Sequence, residues 1–287
     1  IINNLQWIRM KNIENKVAFI TGAASGIGFE IAMSMAHNKV NLMLSDKCEE
    51  KLKTAKEKIL DQNKSKNLHI DYVVCDVSDY NQMHQAANYT LEIFKKIHIL
   101  VNNAGVSFTG RPGEIPIDDW HWIVNINLMG VVYGVELFLP IIKSHNEGGH
   151  IVNTASMAGH WARKNMGPYN TTKFAVVGYS ESLRADLKEE KIGVSVLCPG
   201  WVSTNIVNSD MNRPSGFKKS SWTEEEKKFL RNSLDPKAIG SLVIDSIKKD
   251  RMYIFSHPDM QQAILTRSSY INNDYTACMK HPSIDKN

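Results

Sequence analysis

Several features are scarce in this chain, and each scarcity removes a class of protein. Among 287 residues there are four cysteines, Cys48, Cys75, Cys198 and Cys278. They stand far apart with no paired spacing, which argues against a disulfide framework or a zinc knuckle. Reduced thiols in a cytoplasmic protein are expected. Ten histidines are present, but none forms H-E-x-x-H or sits near a cysteine pair, so no metal site is expected. No uninterrupted apolar run approaches the roughly 20 residues a bilayer needs. The longest candidate, Val131 to Leu139, carries Glu136 and stops at Pro140. No membrane partner is expected. The formal net charge is only +4, and the lysines between Lys47 and Lys66 alternate with Glu49, Glu50, Glu57 and Asp61. That pattern is a solvated helix face rather than a nucleic-acid stripe. Repeats and low-complexity tracts are absent. Ile1 to Arg9 has no long apolar region suited to a secretory signal.

What is present is a chain 43% hydrophobic and 22% charged, long and apolar enough to bury a full core. Short runs rich in Val, Ile and Leu recur at Val17 to Thr21, Val40 to Leu44, Ile70 to Cys75 and Ile99 to Asn102. Three more follow at His150 to Asn153, Val194 to Cys198 and Met252 to Phe255. Little polar alternation interrupts them, as expected for strands buried on both faces. Helical patterns lie between them, such as Glu49 to Asp61, Asp79 to Lys95 and Tyr169 to Glu189. This alternation predicts an α/β fold: a single doubly wound Rossmann-type domain with a seven-stranded parallel sheet flanked by helices. The expected boundaries are an N-terminal extension at 1–15, the domain at 16–256, and a C-terminal helix and tail at 257–287. Residues 1–9 are expected to have no role in the fold. Within the domain, 205–235 is a polar interruption with an amphipathic piece around Trp222 to Leu230. It is either a substrate lid or a plain surface insertion.

After the first strand, Thr21-Gly22-Ala23-Ala24-Ser25-Gly26-Ile27-Gly28 opens a helix. Glycines there let the backbone turn sharply and let a pyrophosphate approach free N–H groups at a helix N-terminus. Gly22, Ser25, Gly26, Ile27 and Gly28 are therefore candidate cofactor contacts. Asp46 ends the second strand, where a carboxylate can accept hydrogen bonds from adenosine ribose hydroxyls and repel a 2′-phosphate. This favours NAD over NADP. Lys47 beside it leaves NADP open, and Asp46 could instead cap the following helix.

The motifs that follow resemble, in order, those of the short-chain dehydrogenase/reductase family from about Lys16 to Tyr253. Asp76-Val77 stands where the family places the adenine ring. Asn102-Asn103-Ala104-Gly105 resembles its N-N-A-G, and Asn127-Leu128-Met129-Gly130 is similar to its N-L-x-G. Ser156 precedes Tyr169 by 13 residues, and Tyr169 with Lys173 forms Y-x-x-x-K. Pro199-Gly200, with Val202 and Thr204, resembles the loop that clasps the nicotinamide carboxamide. The resemblance implies a catalytic set of Asn127, Ser156, Tyr169 and Lys173. It also implies that Asp76, Val77, Asn103, Ala104, Gly105, Pro199, Gly200, Val202 and Thr204 join Tyr169 and Lys173 in holding the cofactor. Asn127 would hold a water that links Lys173 to solvent.

The chemistry is coherent apart from the resemblance. Hydride transfer from a secondary alcohol requires loss of the hydroxyl proton. A phenol titrates near 10, too high for a neutral-pH base unless a nearby cation favours its phenolate. Tyr169 and Lys173, four residues apart on a predicted helix, share one face. Ser156 can hydrogen-bond the substrate oxygen. Val106 to Phe108, Met157, Trp161, Met166, Trp201, Met211 and Trp222 are expected to border the pocket or else to pack the core. As lining residues they suit an uncharged hydrophobic alcohol or ketone. The helical patterns Trp120 to Leu139 and Tyr169 to Glu189 are apolar on more than one side. By the resemblance they form a homodimer interface, commonly extended to a homotetramer; a core-packed monomer is the alternative. Two other functions stay open: an NADP-dependent ketone reductase and a cofactor sensor without chemistry.

Overall fold

A computed structural model describes residues 10–215, 222–279, 281, 283 and 284. Residues 1–9 of the expected extension, part of the segment at 205–235 and parts of the tail lie outside the described residues. The strands are β1 (Val17–Thr21), β2 (Asn41–Asp46), β3 (Ile70–Val74), β4 (Ile99–Asn102), β5 (Gly149–Thr154), β6 (Ile192–Cys198) and β7 (Tyr253–Phe255). They form one seven-stranded sheet in the order β3-β2-β1-β4-β5-β6-β7, every pair parallel. β1, β4, β5 and β6 are buried along their whole length, which is why their sequences show apolar runs instead of alternation.

Helices cover both faces. They are α1 (Gly26–His37), α2 (Glu49–Gln62), α3 (Tyr80–Phe94), α4 (Ile117–Val124), α5 (Gly130–Ser144), α6 (Gly167–Asp186), α7 (Glu224–Arg231), α8 (Pro236–Lys248) and α9 (Gln261–Met279). Successive side chains of β1 point to opposite faces. Ala18 and Ile20 join a cluster with α1 and α8, while Phe19 joins another with α3 and α5. Met10 and Ile13, assigned above to the extension, are buried in the first of these clusters.

Two expectations about the middle of the chain require correction. Pro140 does not end the apolar segment: it lies inside α5, which continues to Ser144. Both Pro140 and Glu136, four residues earlier, face solvent, so water can satisfy the carbonyl that the missing N–H leaves unpaired. α4 and α5 are joined by a π turn at Asn125–Met129, giving a helix from Ile117 to Ser144 long and apolar enough to cross a membrane. Counting uninterrupted apolar residues missed it, because Asp118, Asp119, His121 and Glu136 divide the run. In the fold this helix buries Val131, Val135, Phe138 and Ile142 in the core.

The strand order reverses between β1 and β4, on either side of which the chain winds in opposite directions. In open parallel sheets the carboxyl ends at such a switch point form a crevice. Thr21, Asp46, Asn102 and Thr154 all end strands there.

Candidate active site

The turn after β1 is built for close backbone approach. Gly22 and Gly26 have φ of 64° and 58°, a left-handed conformation that favours glycine. Gly28 serves differently. A Cβ there would stand 2.3 Å from the Gly22 carbonyl oxygen and 2.5 Å from Asn103 Nδ2. Gly28 thus permits α1 to pack under the turn and does not itself line the cavity. Asn103 ties the turn to β4: its N–H donates to Thr21 Oγ1, and its Nδ2 donates to the Thr21 and Gly22 carbonyls. Gly28→Ala is expected to cost about 1–3 kcal/mol of stability, by overpacking, and to weaken cofactor binding. Urea unfolding and a fluorescence titration with NADH measure the two effects.

Ser25 precedes α1 in extended conformation, its side chain making no cap, and the first turn of α1 has no acidic residue. The leading N–H groups of the helix are therefore left for an anion. A cavity of about 380 Å³ opens from this turn. Gly22, Ser25, Gly26, Ile27, Asp46, Asp76, Val77, Asn103, Ala104, Gly105, Pro199, Gly200, Val202 and Thr204 line it, as do Ser156, Tyr169 and Lys173. These residues fit a dinucleotide: an uncapped helix N-terminus for the pyrophosphate and a carboxylate at the end of β2 for a ribose. Asp46 Oδ1 also accepts the Cys48 N–H at 3.3 Å, a local turn ahead of α2, whose N-cap is Cys48 and not Asp46.

Ser156 leaves the end of β5 and caps a short 3₁₀ turn, accepting the Ala158 N–H at 3.1 Å. Tyr169 and Lys173 lie one turn apart on α6, both buried. Lys173 Nζ is 5.5 Å from the centre of the Tyr169 ring and donates to the Thr154 carbonyl at 2.9 Å. Burial pushes the Tyr169 phenol above its ordinary value, and the Ser156 side chain partly offsets this. Burial also brings the Lys173 ammonium down to about 8. Asn127 lies within the π turn, fully buried and not on the cavity wall. Its side chain accepts the Val106 N–H at 2.8 Å and donates to the Val106 carbonyl at 2.9 Å and to Thr172 Oγ1 at 3.3 Å. It fixes the chain beside Gly105 and braces α6 one residue before Lys173. A local π turn at a site is a recurring way to re-aim one side chain.

Most expected pocket residues converge: Val106, Ser107, Met157, Trp161, Met166, Trp201 and Trp222 line the cavity. Two do not. Phe108 lies fully buried behind the wall, and Met211 is exposed. Trp122, Ile206, Leu230, Arg163 and Met260 line it without having been expected. The segment after β6, which lines the cavity through Asn205, Ile206 and Ser209, is tied to neighbouring elements. Ser209 Oγ accepts the Ser107 N–H and donates to the Ser107 carbonyl. Arg213 meets Asp119 of α4 at 3.5 Å, both buried. His257 is a further residue the sequence did not mark. Its Nδ1 accepts the Gly200 N–H at 3.2 Å and its Nε2 lies 3.0 Å from the Trp201 carbonyl, clasping the loop that begins at Pro199.

One group of potential metal ligands occurs among the described residues, His98, His145 and Glu147, away from this cavity. His98 Nδ1 accepts the Val17 N–H and its Nε2 meets Glu147. His145 uses Nδ1 for the Glu147 N–H and Nε2 for the Ile97 carbonyl. Every ring nitrogen is engaged, and Lys16 and Lys96 already neutralise Glu147.

Residues 16–214 match the model of the short chain dehydrogenase family. The chain belongs to that family. It is an NAD(P)-dependent dehydrogenase/reductase, and its relatives agree along nearly its full length. A CLA biosynthesis dehydrogenase/reductase from Lactiplantibacillus plantarum is 33% identical over 278 residues, covering 92% of this chain and 96% of that protein. A C alpha-dehydrogenase from Sphingobium sp. is 28% identical over 262 residues, 89% of this chain and 85% of that one. Among solved structures, a short-chain dehydrogenase/reductase from Burkholderia phymatum in complex with NAD superimposes with a TM-score of 0.82 at 34% identity. It covers 92% of this dehydrogenase and 97% of its own chain.

Proposed function

We propose that this dehydrogenase uses NAD to oxidise a hydrophobic secondary alcohol, or to reduce the ketone in reverse, with Tyr169 as general acid and base. One observation carries the reading: Ser156, Tyr169 and Lys173 meet on the wall of the same cavity that the glycine turn and Asp46 enter. When bound, the nicotinamide supplies the hydride acceptor or donor. The chain supplies the rest. Gly22, Ser25, Gly26 and Ile27 hold the pyrophosphate at the α1 N-terminus. Asp76, Val77 and Asn103 to Gly105 surround the adenosine side, and Pro199, Gly200, Val202 and Thr204 grip the nicotinamide side. Ser156 hydrogen-bonds the substrate oxygen and stabilises charge as it develops. Tyr169 takes the hydroxyl proton in oxidation and returns one in reduction. Lys173, charged beside it, opposes the burial that raises the phenol, and Asn127 keeps α6 and the strand end at fixed distance.

A panel of secondary alcohols, aliphatic, aryl and steroid, offered with NAD and followed by absorbance of the reduced cofactor tests the reading. Turnover of none of them sinks it and revives a cofactor sensor. The NAD-bound relative supports the cofactor class, while Lys47, which also lines the cavity, favours NADP as a second reading. Asp46 decides between them. Replacing it with alanine removes a charged hydrogen-bond acceptor and is expected to lower the NAD-to-NADP ratio of kcat/KM by about ten- to a hundredfold. A ratio unmoved by the substitution defeats the assignment of Asp46.

The segment 205–235 acts in this reading as the substrate lid, through Ile206, Trp222 and Leu230. A homodimer or homotetramer built on α5 and α6 accounts for Val132, Tyr133, Leu137 and Leu139, which the monomer leaves half-buried. Light scattering that returns a monomer at micromolar concentration defeats that arrangement.

A further inference from the structure

Arg163 is a cation in the cavity that the chemistry above does not use. It lies on the loop between Ser156 and α6, among aromatic and thioether side chains. The loop is held from two sides. Asn170 Nδ2 donates to the Arg163 carbonyl at 2.8 Å, and the Gly110 N–H donates to the Asn165 carbonyl at 2.8 Å. The guanidinium carbon sits 4.3 Å from the Trp201 ring centre, and one nitrogen lies 3.8 Å from Met166 Sδ. A guanidinium carries a rigid fork of N–H donors and accepts nothing. Here one donor meets a thioether, the weakest of acceptors, and among the described residues Arg163 makes no ion pair. Glu226 of α7 is near enough to act on its charge but forms no ion pair with it; one oxygen of that carboxylate, Oε2, receives the Thr223 N–H and hydroxyl. Partial burial pushes the guanidinium down from its ordinary value, as desolvation of an unpaired cation must.

We propose that Arg163 is a specificity residue that receives a carboxylate of the substrate, so that the substrate is a hydroxy- or oxo-carboxylic acid with a large apolar body. The inference rests on this cavity being the alcohol or ketone site, and it refines the uncharged substrate expected from the sequence. Among the described residues three cations line the cavity, Lys47, Arg163 and Lys173. Lys47 adjoins Asp46 at the cofactor end, and Lys173 donates to Thr154 beside Tyr169. That leaves one guanidinium for one negative charge, and its fork matches the two oxygens of a carboxylate. Trp122, Trp161, Trp201 and Trp222 offer broad apolar faces to the remainder of such a molecule.

The test is binding, because it does not depend on turnover. NAD-loaded full-length enzyme is titrated with decanoate and with decanamide, which share an alkyl chain and differ in charge, and tryptophan fluorescence is read. Decanoate is expected to bind at least about tenfold tighter than decanamide, the gain of a charge-assisted hydrogen-bond pair. Arg163→Gln is expected to bring the two within about twofold while decanamide affinity stays unchanged, and Arg163→Lys to retain part of the preference. Equal affinities on the unaltered enzyme overturn the proposal, with no variant needed. So does an Arg163→Gln protein that weakens both ligands alike, which makes the stack on Trp201 purely structural. Failure of the alcohol panel and of a long-chain secondary hydroxy acid alike, with the decanoate preference intact, points instead at the assigned chemistry.

Discussion

Tyr169→Phe is expected to lower kcat by about 10²–10⁴-fold, the usual contribution of one general acid–base group, with NADH affinity close to unaltered. The substitution removes one oxygen and leaves the ring. The ring is buried with Phe108, Ile123, Met166 and Val207 in the cluster beneath the cavity, so packing is retained and Lys173 keeps its bond to Thr154. Loss of rate without loss of cofactor affinity is therefore the signature of a missing proton carrier. A structural role would instead move stability and affinity together. Two measurements separate them: single-turnover rates with a responsive alcohol, and NADH titration by fluorescence. Activity within about tenfold of the unaltered enzyme removes Tyr169 from the chemistry, since that is less than a positioned acid–base group contributes.

The parallel sheet was legible because β1, β4, β5 and β6 are buried along their whole length and so read as short apolar runs, which their length, not their periodicity, separates from the longer helical patterns between them. Most of the candidate site residues share one cavity because they stand near strand ends or one helical turn apart, so spacing along the chain carries over into space. Where the reading failed, the deciding fact lay in another part of the chain. Pro140 looked like a stop, yet helix α5 passes through it because that face meets water. Phe108 and Met211 were both plausible lining residues; one falls behind the wall and the other outside it. Arg163 and His257 carry no local signal at all. Each gains meaning only from Trp201, 38 residues after the first and 56 before the second.

Lys173→Met is expected to stabilise the fold while lowering kcat by about a hundredfold or more. Lys173 is buried, and burial brings it from 10.5 down to about 8. A lysine whose folded value lies below its unfolded value binds its proton more weakly in the native state. Its burden on stability is therefore complete below about pH 8 and disappears as pH rises toward 10.5. A displacement of that size corresponds to a burden on the order of 3 kcal/mol. Against it stands the bond to the Thr154 carbonyl, whose loss costs about 1 kcal/mol. Desolvation wins, and a net gain of about 2 kcal/mol is expected at pH 7 from an apolar side chain of similar length. Urea unfolding of both proteins at pH 7, 8.5 and 10 measures it. The advantage of the methionine variant should be largest at pH 7 and shrink at each step, because only the unaltered protein is relieved as its lysine loses the proton. A variant less stable than the unaltered enzyme at pH 7, or a difference that does not change with pH, contradicts a strained buried ammonium. The expected pairing of higher stability with lost turnover identifies Lys173 as a charge kept in the interior at a cost to folding, where it can act on the Tyr169 phenol.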